Sequence, residues 1–383
     1  MTIRGILVAL GAVLCASCHD RADEPVPKAA AVQSASALAL RLRGDNHFLV
    51  GLGNDLEADH QKDGAFRLGS TLDLHYAYLT GLPGGGGWPD WNPGGTFVDT
   101  LVAAAHAHGT TPMFTLYAMS AWGEDKEVAA LTHDDFMGPY WSAVKLLFQR
   151  LGATDEPSVV HFEPDFWAYA QQASRGGTHA VRVTSLVPEC AELTDDLRGM
   201  AGCLLVLARR YAPHAVVGFH ASAWAGTAAA TVRFLRAIGA DKADFLAVEM
   251  LDRDAGCWEA QTDPLCQAAG RDRDTYLDES NTRSPNFHEV IAWARQMHEG
   301  LGLPLLWWQL PLGVPNALPG GTALHYRDNR VHYMFGHVSE LIDAGSVGMV
   351  FGTGAERQTT IDTDGGQFAA AVKTYFASPV ALP

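Results

Sequence analysis

Residues 158–165 read Ser-Val-Val-His-Phe-Glu-Pro-Asp, and residues 166–169 continue Phe-Trp-Ala-Tyr. Side chains of a strand switch faces at every step, so Val159, His161, Glu163 and Asp165 share one face. Val160 and Phe162 take the other, turned toward covering helices. The run predicts a strand that carries a pair of acids to its C-terminal end.

Comparable runs recur along the chain: FLVGLGND (48–55), STLDLHYA (70–77), TPMFTLYA (111–118), AVVGFHAS (215–222), DFLAVEML (244–251) and LPLLWWQL (303–310). With 158–165, these seven end in Asp55, His75, Tyr117, Glu163, His220, Glu249 and Gln309, and an eighth, SVGMVFGTG (346–354), closes the set with glycines. Between them lie stretches of helical length with apolar residues three and four apart, among them ELTDDLRGMAGCLLVLARRYAP (192–213) and NFHEVIAWARQMHEGLG (286–302). Regular alternation of strand and helix predicts parallel βαβ units, and eight of them predict a closed barrel. The expected class is α/β, a single (β/α)8 domain over residues 47–383, with its strand-end residues on one rim. The sixth strand is irregular: Ala247 and Glu249 fall on one face, Met250 and Asp252 on the other. Only a bend after Met250 brings both acids to the rim.

The chain has 383 residues, 48% of them apolar, enough for one large core. Its 27 Lys and Arg stand against 43 Asp and Glu, a net charge of −16 that argues against nucleic acid or an anionic membrane as partner. Residues 1–18, MTIRGILVALGAVLCASC, read as a signal peptide of lipoprotein type, with lipidated Cys18 as a membrane tether. A tether is read over residues 19–46. The expected location is periplasmic or outer-membrane-anchored, otherwise secreted. Four further cysteines allow local pairs, Cys190 with Cys203 and Cys257 with Cys266, among three connectivities.

Glu163 followed by Pro164 resembles the Asn-Glu-Pro segment that ends the fourth strand in a large clan of TIM-barrel glycosidases. That resemblance implies an acid/base carboxylate at Glu163. Phe162 stands in place of the Asn, and Gln309 stands at the end of strand seven, where the clan keeps a nucleophilic Glu. The second carboxylate is therefore sought on strand six, in EMLDRDAG, where Glu249, Asp252 and Asp254 lie. Glycosidic cleavage needs one protonated and one ionised carboxyl, about 5 Å apart for retention and roughly 6.5–9.5 Å for inversion. Glu163, Asp165, Glu249 and Asp252 are the catalytic candidates, with Asp165 as acid and Glu163 positioning it as the other arrangement.

Eight of the ten tryptophans lie at or just after strand ends: Trp88, Trp91, Trp122, Trp167, Trp224, Trp258, Trp307 and Trp308. Indole faces suit pyranose rings, because CH groups stack on the π cloud while hydroxyls keep their hydrogen bonds. The expected partner is a carbohydrate substrate, contacted by Asp55, His75, Tyr117, Trp122, Trp167, His220, Trp224, Asp254, Trp258, Trp308, Gln309 and Arg330. Arg330 belongs to a polar run, 325–333, that either closes over the site or starts a helix capped by Asp328. No cofactor motif and no metal-ligand spacing is read. Two other readings remain open. One is a metal-assisted hydrolase or phosphodiesterase using His75, His161 and His220 with the acids; the other is a carbohydrate-binding lipoprotein without catalysis.

Overall fold

The computed structural model describes residues 26, 28–29, 33–53, 64–123, 126–174, 176–250, 261, 267, 276–315, 326–352 and 359–383. The signal segment, Asp55, Asp252, Asp254, Cys257, Trp258 and Cys266 lie outside the described residues.

Eight parallel strands close into a barrel: β1 (Leu49–Gly53), β2 (Leu74–Thr80), β3 (Thr111–Tyr117), β4 (Ser158–Phe162), β5 (Ala215–Ala221), β6 (Phe245–Val248), β7 (Leu305–Leu310) and β8 (Ser346–Gly352). Each pairs with its sequence neighbours, and β1 pairs with both β2 and β8. The predicted (β/α)8 fold is thus present. A short antiparallel ribbon, Val314–Pro315 against Tyr326–Asp328, follows β7.

Amphipathic helices cover the barrel. In α5 (Leu197–Tyr211) the residues Leu197, Met200, Ala201, Leu204, Leu207 and Ala208 are buried, the three-and-four spacing of one helix face. Asp196 caps its N-terminus by accepting from the Gly199 amide. Cys190, in the turn just before it, is disulfide-bonded to Cys203, one of the two pairs expected from spacing. Outward residues of β4 and β5 meet the helices in an aromatic layer: Phe162 lies 6.1 Å from Phe148 and 5.4 Å from Phe219 between ring centroids.

Close strand approach explains two glycines in the sheet. A Cβ on Gly53 would lie 2.1 Å from the Tyr76 carbonyl oxygen, and one on Gly348 would lie 2.7 Å from Leu49. Neither position has room for a side chain.

Residues 35–43, read in the sequence as tether, form helix α1 (Ala35–Arg43), with Leu38, Ala39 and Leu42 buried. It crosses the N-terminal ends of the strands. Arg41 bonds the Pro213 and Ala215 carbonyls and pairs with Asp244, while Arg43 bonds Gly109 and Thr111 and pairs with Asp73. Asp73 also accepts from the Val50 amide and pairs with His47, whose basicity its hydrogen bond raises. The floor of the barrel is a built polar layer beneath an apolar core.

Candidate active site

The mouth at the C-terminal ends is assembled by neighbouring strands in register. Tyr78 on β2 stands opposite Thr115 on β3, which stands opposite His161 on β4. Their inward side chains form one layer, and the residues two steps further, Tyr117 and then the β4 acids, form the next.

Asp165 and Glu249 belong to one continuous set of contacts across this mouth. The Tyr117 hydroxyl donates to Asp165 Oδ2 at 2.9 Å. The Tyr117 ring lies 5.9 Å from that of Tyr78, which lies 5.8 Å from the Trp308 indole. Trp308 stands nearly perpendicular to the His161 and His220 rings, with centroids 4.8 and 5.5 Å away. His220 Nε2 stands 3.7 Å from Glu249 Oε1. Asp165 and Glu249 keep 6% and 7% of their exposure, so both sit in a site screened from bulk solvent. Trp308, 1% exposed, is the floor on which the polar groups stand.

Glu163 follows a different course. Its backbone takes φ +42°, a left-handed conformation that is costly for a residue with a Cβ. Alternation alone would aim it inward with His161; instead its carboxyl accepts from the Met119 amide at 3.1 Å and the Ala118 amide at 3.3 Å. Tyr140, from helix α3 (Asp134–Leu151), lies beside it, and so does the buried Glu127. Full burial pushes the carboxyl up to about 8, against the opposing pull of the two amides and Tyr140. Glu163 therefore holds a proton at neutral pH, in the wall between β3 and α3. Gln309, at the end of β7, shares the left-handed backbone at φ +49° and accepts from the Tyr78 hydroxyl at 3.0 Å. Among the described residues, the two strand ends singled out by the glycosidase resemblance both carry a non-glycine residue with positive φ.

His161 and His220 form a buried pair, Nε2 to Nδ1 at 3.0 Å, with Thr115 Oγ1 3.5 Å from the other nitrogen of His161. Burial, reinforced by the neighbouring His220, holds His161 well below the ordinary histidine range. It is neutral across the working pH range.

Several expected rim residues lie elsewhere. The second strand runs from Leu74 to Thr80, so His75 is its second residue and lies at the opposite, N-terminal end of the barrel, against Phe66 at 4.5 Å. The sequence run was broken too early because Asp73, bound to the barrel floor, looks like part of the strand. Tyr78 is the rim residue this reading missed; the signal was the continuing alternation up to the turn at Gly81-Leu-Pro-Gly. The histidine trio of the metal-assisted reading is not assembled, since His75 packs against Phe66 three register positions below Tyr78, the β2 residue level with His161. Among the described residues, no group of three or more metal-ligating side chains stands together.

The tryptophan ring also thins. Trp167 is buried with its N–H donated to the Phe162 carbonyl at 3.1 Å, packed on Phe219 in the helix layer, so it is a core residue rather than a sugar contact. Trp88 and Trp307 are fully buried, Trp307 donating to Ser346. Trp122 is 37% exposed beside His133 and Phe136, Trp91 is exposed, and Trp224 is half-buried against Tyr169. Arg330 is fully buried as the first residue of helix α8 (Arg330–Gly336). The cap of that helix is Asn329, which accepts from the His332 amide, rather than the expected Asp328.

No family model matches this chain, and no curated protein matches it in sequence. Among solved structures, GH26C from Muricauda sp. MAR_2010_75 aligns with a TM-score of 0.51 at 12% identity, covering 91% of this chain and 90% of that one. Xylanase 10B from Thermotoga maritima aligns with a TM-score of 0.44 at 9% identity over 90% and 98% of the two chains. D-Psicose 3-epimerase from Clostridium cellulolyticum H10 aligns at 0.42 and 12% identity over 86% and 97%. The expected resemblance to TIM-barrel glycoside hydrolases holds at the level of fold.

Proposed function

We propose that this protein is an exported glycoside hydrolase whose reacting carboxyls are Asp165 and Glu249. The observation that carries this reading is the unbroken run of contacts from Asp165 through Tyr117, Tyr78, Trp308 and His220 to Glu249, which brings two screened acids to one aromatic mouth. Asp165 serves as the general acid, its Oδ2 supported by the Tyr117 hydroxyl while the other oxygen carries the proton to the leaving sugar oxygen. Glu249 is the ionised partner, base or nucleophile, with the His220 Nε2 3.7 Å from its carboxyl. Glu163 is a positioning residue: its carboxyl grips the two amides that directly follow Tyr117, and Tyr117 in turn orients Asp165. Trp122 and Trp224 offer stacking faces for sugar units away from the reacting bond.

The Cys190–Cys203 disulfide supports an oxidising compartment, in keeping with a signal peptide and an exported enzyme, whether or not Cys18 is lipidated. The test is release of reducing ends from a panel of xylan, mannan and β-glucan by the wild type and by Asp165→Asn and Glu249→Gln. Each substitution should cut turnover roughly 10²–10⁴-fold with little change in folding. Full activity in either variant would remove that residue from the assignment.

A second reading follows from Gln309, an amide at a strand end where the resemblance leads one to expect a carboxylate. In it the mouth binds an oligosaccharide without cleaving it. Saturable binding with no product after prolonged incubation would select this reading over the first.

A further inference from the structure

The His220 ring beside Glu249 is joined to a second imidazole, His161, that no step above uses. His220 is 1% exposed and His161 fully buried, and the Trp308 indole packs against both rings. With one proton on each ring, two imidazoles joined Nε2 to Nδ1 must divide the roles of donor and acceptor, and whichever way they do so fixes the free nitrogen at each end. If His161 Nε2 donates to His220 Nδ1, then His220 carries its proton on Nε2, the atom 3.7 Å from Glu249 Oε1. His161 Nδ1 is then an acceptor, and the nearby Thr115 hydroxyl is able to donate to it. The opposite polarity would turn a nitrogen lone pair toward an ionised carboxylate, which is electrostatically unfavourable in so dry a setting.

We infer that His161 is a positioning residue that fixes the tautomer of His220, so that the Nε2–H of His220 faces Glu249. This rests on the reading of Glu249 as the ionised catalytic partner. At 3.7 Å the N–H and the carboxylate do not bond directly within the described residues, and His220 Nε2 has no other hydrogen-bond partner there. A sugar hydroxyl lying beside this gap, rather than in it, could accept from His220 and donate to Glu249. His161 thus acts on the reaction without touching substrate.

The test is a long-range ¹H–¹⁵N spectrum of histidine-labelled protein at pH 7, with the His220 signals assigned by His220→Gln. The wild type should show His220 as the Nε2–H tautomer. His161→Gln, whose amide N–H still reaches Nδ1, should keep that tautomer, whereas His161→Met, which leaves Nδ1 without a donor, should show both tautomers in exchange. Turnover should fall roughly ten- to a hundredfold in His161→Met, with KM within about twofold, and recover in His161→Gln. An Nδ1–H tautomer for His220 in the wild type, or an unchanged tautomer in folded His161→Met, would overturn the inference. Should His161→Met fail to fold, the wild-type spectrum and His161→Gln decide alone. If the expected tautomers appear while no glycan is cleaved, the positioning role of His161 stands and the hydrolase reading falls.

Discussion

Glu163 shows how a single backbone torsion redirects a side chain that strand alternation would send into the mouth. The left-handed turn at this residue carries its carboxyl into the wall, and Asp165, two residues on, takes the inward place. Glu163→Gln should therefore retain turnover within about tenfold of wild type, in contrast with Asp165→Asn, since the amide still fills the wall. Equal loss in the two variants, with unchanged melting temperatures, would return the acid role to Glu163. Its raised pKa also makes a stability statement. A carboxyl that titrates near 4.5 unfolded and at about 8 folded binds a proton on folding between those values. Stability from this group is thus complete below pH 4.5 and is lost as pH rises toward 8. Melting temperatures of wild type and Glu163→Gln at pH 5, 6.5 and 8 should diverge, the wild type falling more steeply; parallel slopes would contradict this. The sequence displayed both acids, but not which of them faces the mouth, because a positive φ at a glutamate has no signature in the residue types around it.

At the scale of elements, strand positions were legible wherever an apolar run ended at a turn residue. β4, β5 and β7 lie where alternation put them, since their inward faces are buried in the barrel and a one-residue slip would expose every core residue on them. β2 was the exception. Asp73 belongs to the floor, yet its place between Leu72 and Leu74 imitates a strand residue, and His75 was carried with it to the wrong rim. Trp167 was misplaced for a related reason: just after a strand, a tryptophan packs equally well on the first turn of the next helix. The tight β1–β2 contact makes its own prediction. Gly53→Ala should destabilise by about 3 kcal/mol in urea unfolding, because the new Cβ would meet the Tyr76 carbonyl, backbone that cannot move without parting the strands. Tolerance of alanine there would mean the strands are further apart than described.

For the molecule as a whole, the alternation of eight strands with helices left little choice of architecture, and the closed barrel follows it. The boundary of the folded unit was harder to see, because the apolar pattern of α1 is short and its arginines resemble a charged linker. Outside the barrel wall, the Cys190–Cys203 link closes a loop of sequence separation 13 onto α5. Replacing both cysteines by alanine should cost about 3 kcal/mol of stability, read as a lowered unfolding midpoint with an unchanged slope. An unchanged midpoint would show that the packing of α5 alone holds that segment.

The arginines of α1 clamp it across one end of the barrel, while the acids and indoles gather at the other. Any surface that held this protein by the chain ahead of Ala35 would therefore meet the sealed base of the cylinder. The mouth would open away from that surface, like a cup set on its foot, toward polymers arriving from outside.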